Sequence, residues 1–188
     1  MKKVIYDNFD PKIHDVSKVA KLVYDVDFRT FDLFFSDENK AIKAIEKDLS
    51  KYKFSSIKVI LDDNEDVIGM VECYISKKPH SFSFSSLKLF LVDVLDYFVL
   101  CDVGKKDLYV AEIAIDESLR GHGLGRKVLL DIIKYARFKN LDRVILDVDF
   151  RNDGAKALYE SLGFKEFNKK RVKILGFERG MHNMELIL

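Results

Sequence analysis

Apolar residues recur along this chain with two different periods, and the changes from one to the other mark out its elements. Val4 to Tyr6 reads as a short first strand. Asp15 stands where it can cap a helix whose Val16, Val19, Ala20, Val23 and Val26 fall at helical spacing. A Phe-rich connection (Phe28, Phe31, Phe34, Phe35) leads to a second helix with Asp37 as its cap and Ala41, Ile42, Ile45 and Leu49 along one face. Ile57, Val59 and Leu61 alternate as a strand does, Asp62-Asp63-Asn64-Glu65-Asp66 predicts a turn, and Val67 to Ile75 predicts the returning strand.

Residues 77–107 fit that rhythm less well. Leu87, Phe90, Leu91, Val94, Leu95 and Phe98 make a helical stripe behind Ser-rich sequence, which predicts an inserted helix at about 80–100. A lid, a dimer surface and extra core remain open as its role. Beyond it the pattern is regular again. Tyr109 to Ile115 predicts a strand, and Gly123 to Phe138 a helix with Leu124, Val128, Leu129, Ile132, Ile133 and Ala136 inward. Val144 to Phe150 is a further strand, Asp153 to Leu162 a short helix stopped by Gly163, and Lys165 to Ile174 and Met181 to Leu188 are two closing strands. The whole reads as an α/β (α+β) single domain over residues 1–188, with a mixed sheet of about six to seven strands flanked by helices.

Composition narrows the partners more than the fold. The 188 residues suffice for a substantial core, and 32 basic against 31 acidic residues leave a formal charge of +1. No whole-molecule field therefore argues for nucleic acid or a membrane surface. The most apolar stretch, Leu87 to Leu100, is broken by Lys88, Asp93 and Asp96 and is too short to span a bilayer. The N-terminus lacks the apolar core of a signal peptide, so a cytoplasmic location is expected. Cys73 and Cys101 lie far apart and read as buried thiols rather than a disulfide. His14, His80 and His182 are isolated, so no metal site is expected.

The chemistry concentrates in Asp116-Glu117-Ser118-Leu119-Arg120-Gly121-His122-Gly123-Leu124-Gly125-Arg126, between a strand and a helix. Glycines at 121, 123 and 125 let backbone amides approach a bulky anion, and the helix N-terminus supplies unpaired N–H groups and a positive dipole end. Arg120 and Arg126 add charge suited to phosphate oxygens. A phosphate-binding P-loop fails here, because the spacing to a second Gly is wrong and Val128 stands in place of the hydroxyl after Lys127. Gly-x-Gly-x-Gly likewise fails the dinucleotide spacing Gly-x-Gly-x-x-Gly.

The pattern Arg-x-x-Gly-x-Gly (Arg120, Gly123, Gly125) instead resembles the coenzyme A motif of the GNAT N-acetyltransferase superfamily. Ile115 ends the preceding strand, Val144 to Phe150 supplies the second strand, and Asn152, Ala155, Tyr159, Gly163 and Phe164 match the short helix that follows. The resemblance is specific over 108–165, fair for the N-terminal helices and the 57–75 hairpin, and absent for 77–107.

This resemblance implies acetyl-CoA as co-substrate, without a metal, and direct attack by an amine on the thioester. It places the pyrophosphate on the turn formed by Arg120, Gly121, His122, Gly123, Leu124, Gly125 and Arg126. The pantetheine would lie against backbone groups of Ile113, Ala114 and Ile115, with Asn152 and Ala155 beside it. Tyr159 would protonate or hydrogen-bond the departing thiolate, or else be an aromatic packing the last helix against the sheet, and Glu112 would serve as general base or else be an ordinary strand glutamate. Asp147 and Asp149 either hold a cationic acceptor or are exposed strand carboxylates. The Phe cluster is core or the wall of an acceptor pocket. Lys169, Lys170, Arg171 and Lys173 read as a solvated hairpin, with the coenzyme's ribose phosphate as the alternative contact. The acceptor is a small-molecule amine or a protein or peptide amine, and a homodimer is open. The competing readings are a non-catalytic acyl-CoA sensor and a nucleotide-binding protein of another fold.

Overall fold

The computed structural model describes residues 4–50, 56–76, 87–174 and 177–188. The elements run β1 (Ile5–Asn8), α1 (Val16–Val26), α2 (Phe28–Phe34), α3 (Glu38–Leu49), β2 (Ile57–Leu61), β3 (Val67–Ile75) and α4 (Leu87–Val99). They continue with β4 (Asp107–Ile115), a 3₁₀ turn (Glu117–Leu119), α5 (Leu124–Phe138), β5 (Arg143–Asp149), α6 (Asp153–Ser161), β6 (Lys165–Ile174) and β7 (Phe177–Ile187). The strands form one seven-stranded mixed sheet in the order β1-β2-β3-β4-β5-β7-β6. The part of 77–107 before Leu87 lies outside the described residues.

Contacts divide the chain into two compact units, and β4 passes from the second into the first at Ala111–Glu112. The first holds β1, α1 to α3, β2, the start of α4, the end of β4 and the glycine turn. Its helices start where the sequence placed their caps: Asp15 accepts from the Lys18 N–H and Asp37 from the Lys40 N–H, each at 3.0 Å. Val19, Ala20, Ala41, Ile45 and Leu49 join Ile57, Val59 and Leu61 in its core. The 62–66 turn closes on Asp62 Oδ1, which accepts from the N–H groups of Asn64 and Asp66 at 2.8 and 3.1 Å.

Three expectations change here. The Phe-rich connection is itself a helix, α2, broken from α1 only at Asp27, whose carboxylate accepts from the Thr30 hydroxyl at 2.9 Å. Phe31 and Phe35 are core, whereas Phe28 is exposed. Val26, the last residue of α1, is also exposed. Strand β1 begins one residue later than expected and runs on to Asn8, in register with Lys58 of β2. The inserted helix exists, and Leu89 and Val92 in its first half join the same core as Phe31 and Phe35.

The second unit holds the start of β4, α5 from Arg126 onward, β5, α6, β6 and β7. Val128, Leu129, Ile132, Ile133 and Ala136 are buried along α5, while Leu124 at its start is half-buried. Gly163 has φ +94°, and the N–H groups of Gly163 and Phe164 bond the carbonyls of Glu160 and Tyr159 at 3.0 and 3.1 Å. This is the left-handed exit that stops α6. Arg143 clamps the unit's strands: its Nε and Nη2 bond both Asp107 oxygens at 2.8 and 2.9 Å, and Nη1 bonds Glu185 at 2.6 Å.

Candidate functional site

Strand β4 leads into the glycine turn. The parallel ladder covers Asp107↔Arg143 to Val110↔Leu146, yet β4 continues to Ile115 and β5 to Asp149. The last three residues of β5 keep only the antiparallel ladder to β7, Asp147↔Asn183 to Asp149↔Met181. Parallel strands that stop pairing leave backbone groups facing sideways, able to accept an extended ligand as a further strand.

The turn itself is left-handed at two points, Gly121 and Gly123, both at φ +79°. A Cβ built at either would meet nothing within 4 Å. These glycines are therefore required by backbone conformation, and open space lies where a bulky anion would approach. Leu124 and Gly125 open α5, whose first N–H groups have no intrahelical acceptor. Arg120 Nε donates to the Ile115 carbonyl at 3.0 Å, and its Nη2 lies 3.8 Å from Asp25 Oδ2. His122 is exposed, with Nδ1 2.9 Å from the Arg120 carbonyl oxygen. Arg126 Nη1 donates to the Ser161 hydroxyl at 2.8 Å. Asp116, just before the 3₁₀ turn, is paired with Lys18 and accepts from the Ser118 N–H and hydroxyl. The Lys18 ammonium, with the Ser118 bonds, holds its carboxyl down at about 2.

Asn152 is the N-cap of α6, its Oδ1 accepting from the Ala155 N–H at 3.0 Å. One lone pair of that oxygen is thus committed to the helix, and the amide NH₂ is left to donate to other partners. Tyr159 is 7% exposed and rests against Phe164 with ring centroids 5.9 Å apart. Among the described residues its hydroxyl finds no hydrogen-bond partner, and burial pushes the phenol up to about 12. Such a group keeps its proton at neutral pH and is a donor in waiting. Glu112 and Ile113 are half-buried on β4, and Ala114 and Ile115 are buried.

Asp147 overturns the reading of an exposed strand carboxylate. The Tyr109 hydroxyl and the Cys101 N–H donate to its Oδ2 at 2.9 and 3.1 Å, and the Asn183 amide donates to its Oδ1. Burial raises its carboxyl above the ordinary range, opposed by those three donors. Asn183 is fully buried, and its own Oδ1 has no partner among the described residues. The sequence signal for this cluster was an acidic residue on an otherwise apolar strand, which by itself does not separate a buried site from a solvated edge. The basic run behaves as a hairpin: Lys169 pairs with Glu166, Arg171 with Glu178, and Lys170 donates to the Leu100 carbonyl at 2.7 Å. Both cysteines are free thiols.

An open cleft of about 840 Å³ lies in the first unit, lined by Asp7, Asp62, Glu65, Asp66 and Asp116 among others. That ring of carboxylates repels a pyrophosphate, so the cleft is not the anion site. Among the described residues no helix is long and apolar enough to cross a membrane, and no cluster of His, Cys, Asp and Glu is grouped to hold a metal ion.

Comparison with known proteins gives the class and then the family. The sheet and its helices have the fold of solved acetyltransferases. The acetyltransferase (GNAT) family model matches residues 21–164, and the chain belongs to that family, which uses acetyl-CoA as co-substrate. The [ribosomal protein bS18]-alanine N-acetyltransferase of Salmonella typhimurium is 30% identical over 110 residues, covering 52% of this chain and 74% of that one. A mycothiol acetyltransferase of Thermobispora bispora is 45% identical over 58 residues, but the match spans 31% of this chain and only 19% of the relative. A solved N-acetyltransferase from Staphylococcus aureus Mu50 superposes over 97% of this chain and all of its own, with TM-score 0.64 at 20% identity, a likeness of fold.

Proposed function

We propose that this protein is an N-acetyltransferase that moves an acetyl group from acetyl-CoA to a primary amine by direct attack within a ternary complex. The observation that carries the reading is the turn: two left-handed glycines with open space beside them, followed directly by the N-terminus of α5. The residues fit the coenzyme. Backbone N–H groups of the turn and of α5's first residues receive the pyrophosphate, and the half-exposed Arg120 with Arg126 adds charge. Ile113, Ala114 and Ile115 offer main-chain groups to the pantetheine amides, a reading supported by the end of the β4–β5 ladder at Val110–Leu146.

Tyr159 gives its proton to the leaving thiolate. Its raised pKa, its burial and a hydroxyl without a partner among the described residues support the role. The attacking amine sheds a proton to a carboxylate, for which Glu112 on β4 is the residue we assign. The acceptor is a small-molecule amine or the amine of a protein or peptide.

Calorimetric titration with CoA, paired with an amine-dependent thiol-release assay on a panel of amines, tests this function. Micromolar CoA binding together with acetyl-CoA-dependent thiol release on at least one amine is expected. CoA binding with no release on any amine would refute the catalytic reading.

A further inference from the structure

We propose that helix α1 holds the coenzyme turn in its binding shape through Lys18 and Asp25, which act as positioning residues. The inference rests on the reading of the 116–126 turn as a pyrophosphate cradle. The two side chains are seven positions apart, two helical turns, and so share one face of α1. They reach the two ends of the 3₁₀ turn: Lys18 pairs with Asp116 immediately before it, and Asp25 lies 3.8 Å from Arg120 immediately after it.

At each end the contact belongs to a fuller set. Asp116 gives Oδ2 to Lys18 and Oδ1 to the N–H and hydroxyl of Ser118. Arg120 is bracketed between the Ile115 carbonyl on Nε and the Asp25 carboxylate on Nη2. Asp25 is itself shared with Lys21, whose Nζ also lies 3.3 Å from Glu38 of α3.

The middle of the turn has less support, His122 Nδ1 at 2.9 Å from the Arg120 carbonyl oxygen being its one side-chain hydrogen bond among the described residues. Gly121 and Gly123 have nothing within 4 Å of where a Cβ would stand, so side-chain packing does not hold them. Glycine adds the widest conformational freedom of any residue, and an unsupported Gly-x-Gly turn would lose much entropy on closing around an anion. Pinning both ends of the preceding 3₁₀ turn removes part of that loss before the ligand arrives. Arg120 remains half-exposed while pinned and is therefore presented toward an incoming anion.

The test is calorimetric CoA binding with wild type, Lys18→Ala, Lys18→Arg and Asp25→Asn, alongside melting curves with and without CoA. Lys18→Ala is expected to weaken CoA binding about two- to fivefold and to shrink the CoA-induced rise in Tm, as expected for losing a partly exposed ion pair. Lys18→Arg restores both, and Asp25→Asn, isosteric and with the Ile115 contact kept, weakens binding about two- to fivefold. Should Lys18→Ala fold poorly, Asp25→Asn carries the same comparison. Unchanged CoA affinity in both variants, even with a lowered melting temperature, overturns the positioning role and leaves the coenzyme reading standing. Wild-type protein that does not bind CoA overturns the cradle reading and this inference with it.

Discussion

Replacing Tyr159 by Phe removes one oxygen from a buried residue, and the structure separates its effect on stability from its effect on rate. The ring is 7% exposed and packs on Phe164, contacts that Phe retains. The hydroxyl has no hydrogen-bond partner among the described residues, so its loss breaks no hydrogen bond to them. Removing a buried hydroxyl without a partner is worth within about 1 kcal/mol of zero, or a Tm change of roughly 3 °C at this chain length. Loss of a proton donor to the leaving thiolate, by contrast, costs about 10²-fold or more in kcat. A near-native melting curve, retained CoA affinity and a turnover lowered about a hundredfold is the expected triple, read by thiol release under saturating acetyl-CoA. Unchanged turnover would refute the role. The pH dependence adds a second check. The folded pKa is raised from 10.0 to about 12, so the fold favours the neutral phenol. This group's contribution is fully present below about pH 10 and is lost as pH rises towards 12, worth roughly 2–3 kcal/mol across that window. Tyr159→Phe removes that alkaline slope, which denaturant titrations at pH 9 and above would detect.

Three further outcomes follow from geometry. Arg143→Met strips the guanidinium from Asp107, which is 4% exposed and whose carboxyl, although burial alone would raise it, lies below its ordinary value because of Arg143 and the Gly104 N–H. A loss of about 3–5 kcal/mol in urea unfolding is expected at pH 7; the wild-type contribution is present above pH 4 and fades as pH falls through the depressed pKa, so the two proteins converge in acid. Gly69→Ala puts a Cβ 2.7 Å from the Ala114 carbonyl oxygen, a backbone atom that cannot swing aside, and should cost about 1–3 kcal/mol by the same measurement. Asn152→Ala loses the cap of α6 and about 1 kcal/mol, whereas Asn152→Asp keeps the acceptor and stays close to wild type in thermal melts.

Much of the fold was legible because it is written locally. Caps at Asp15 and Asp37, the Asp62–Asp66 turn, the exit at Gly163 and the bounds of β2, β3 and β6 depend on residues a few positions apart, and each is where spacing placed it. The Phe-rich segment reads as a connection in the sequence because its aromatics face two ways, Phe31 and Phe35 buried and Phe28 exposed, which blurs a seven-residue helix into an irregular run. Arg120 showed its chemical type in the sequence, but its tether to Asp25, ninety-five positions earlier, left no trace there.

What the sequence alone determined is therefore the strand, glycine turn and helix of 109–138 and the family they belong to. Backbone propensity and fixed spacing act over one or two turns and need no partner to be read. Only the tertiary structure decided which charges are surface and which are structure. Asp147 gathers donors 38, 46 and 36 positions away, and Asp107 meets Arg143 across 36. A carboxylate's character depends on the dielectric and the donors around it, and those are supplied by segments that meet only when the sheet closes.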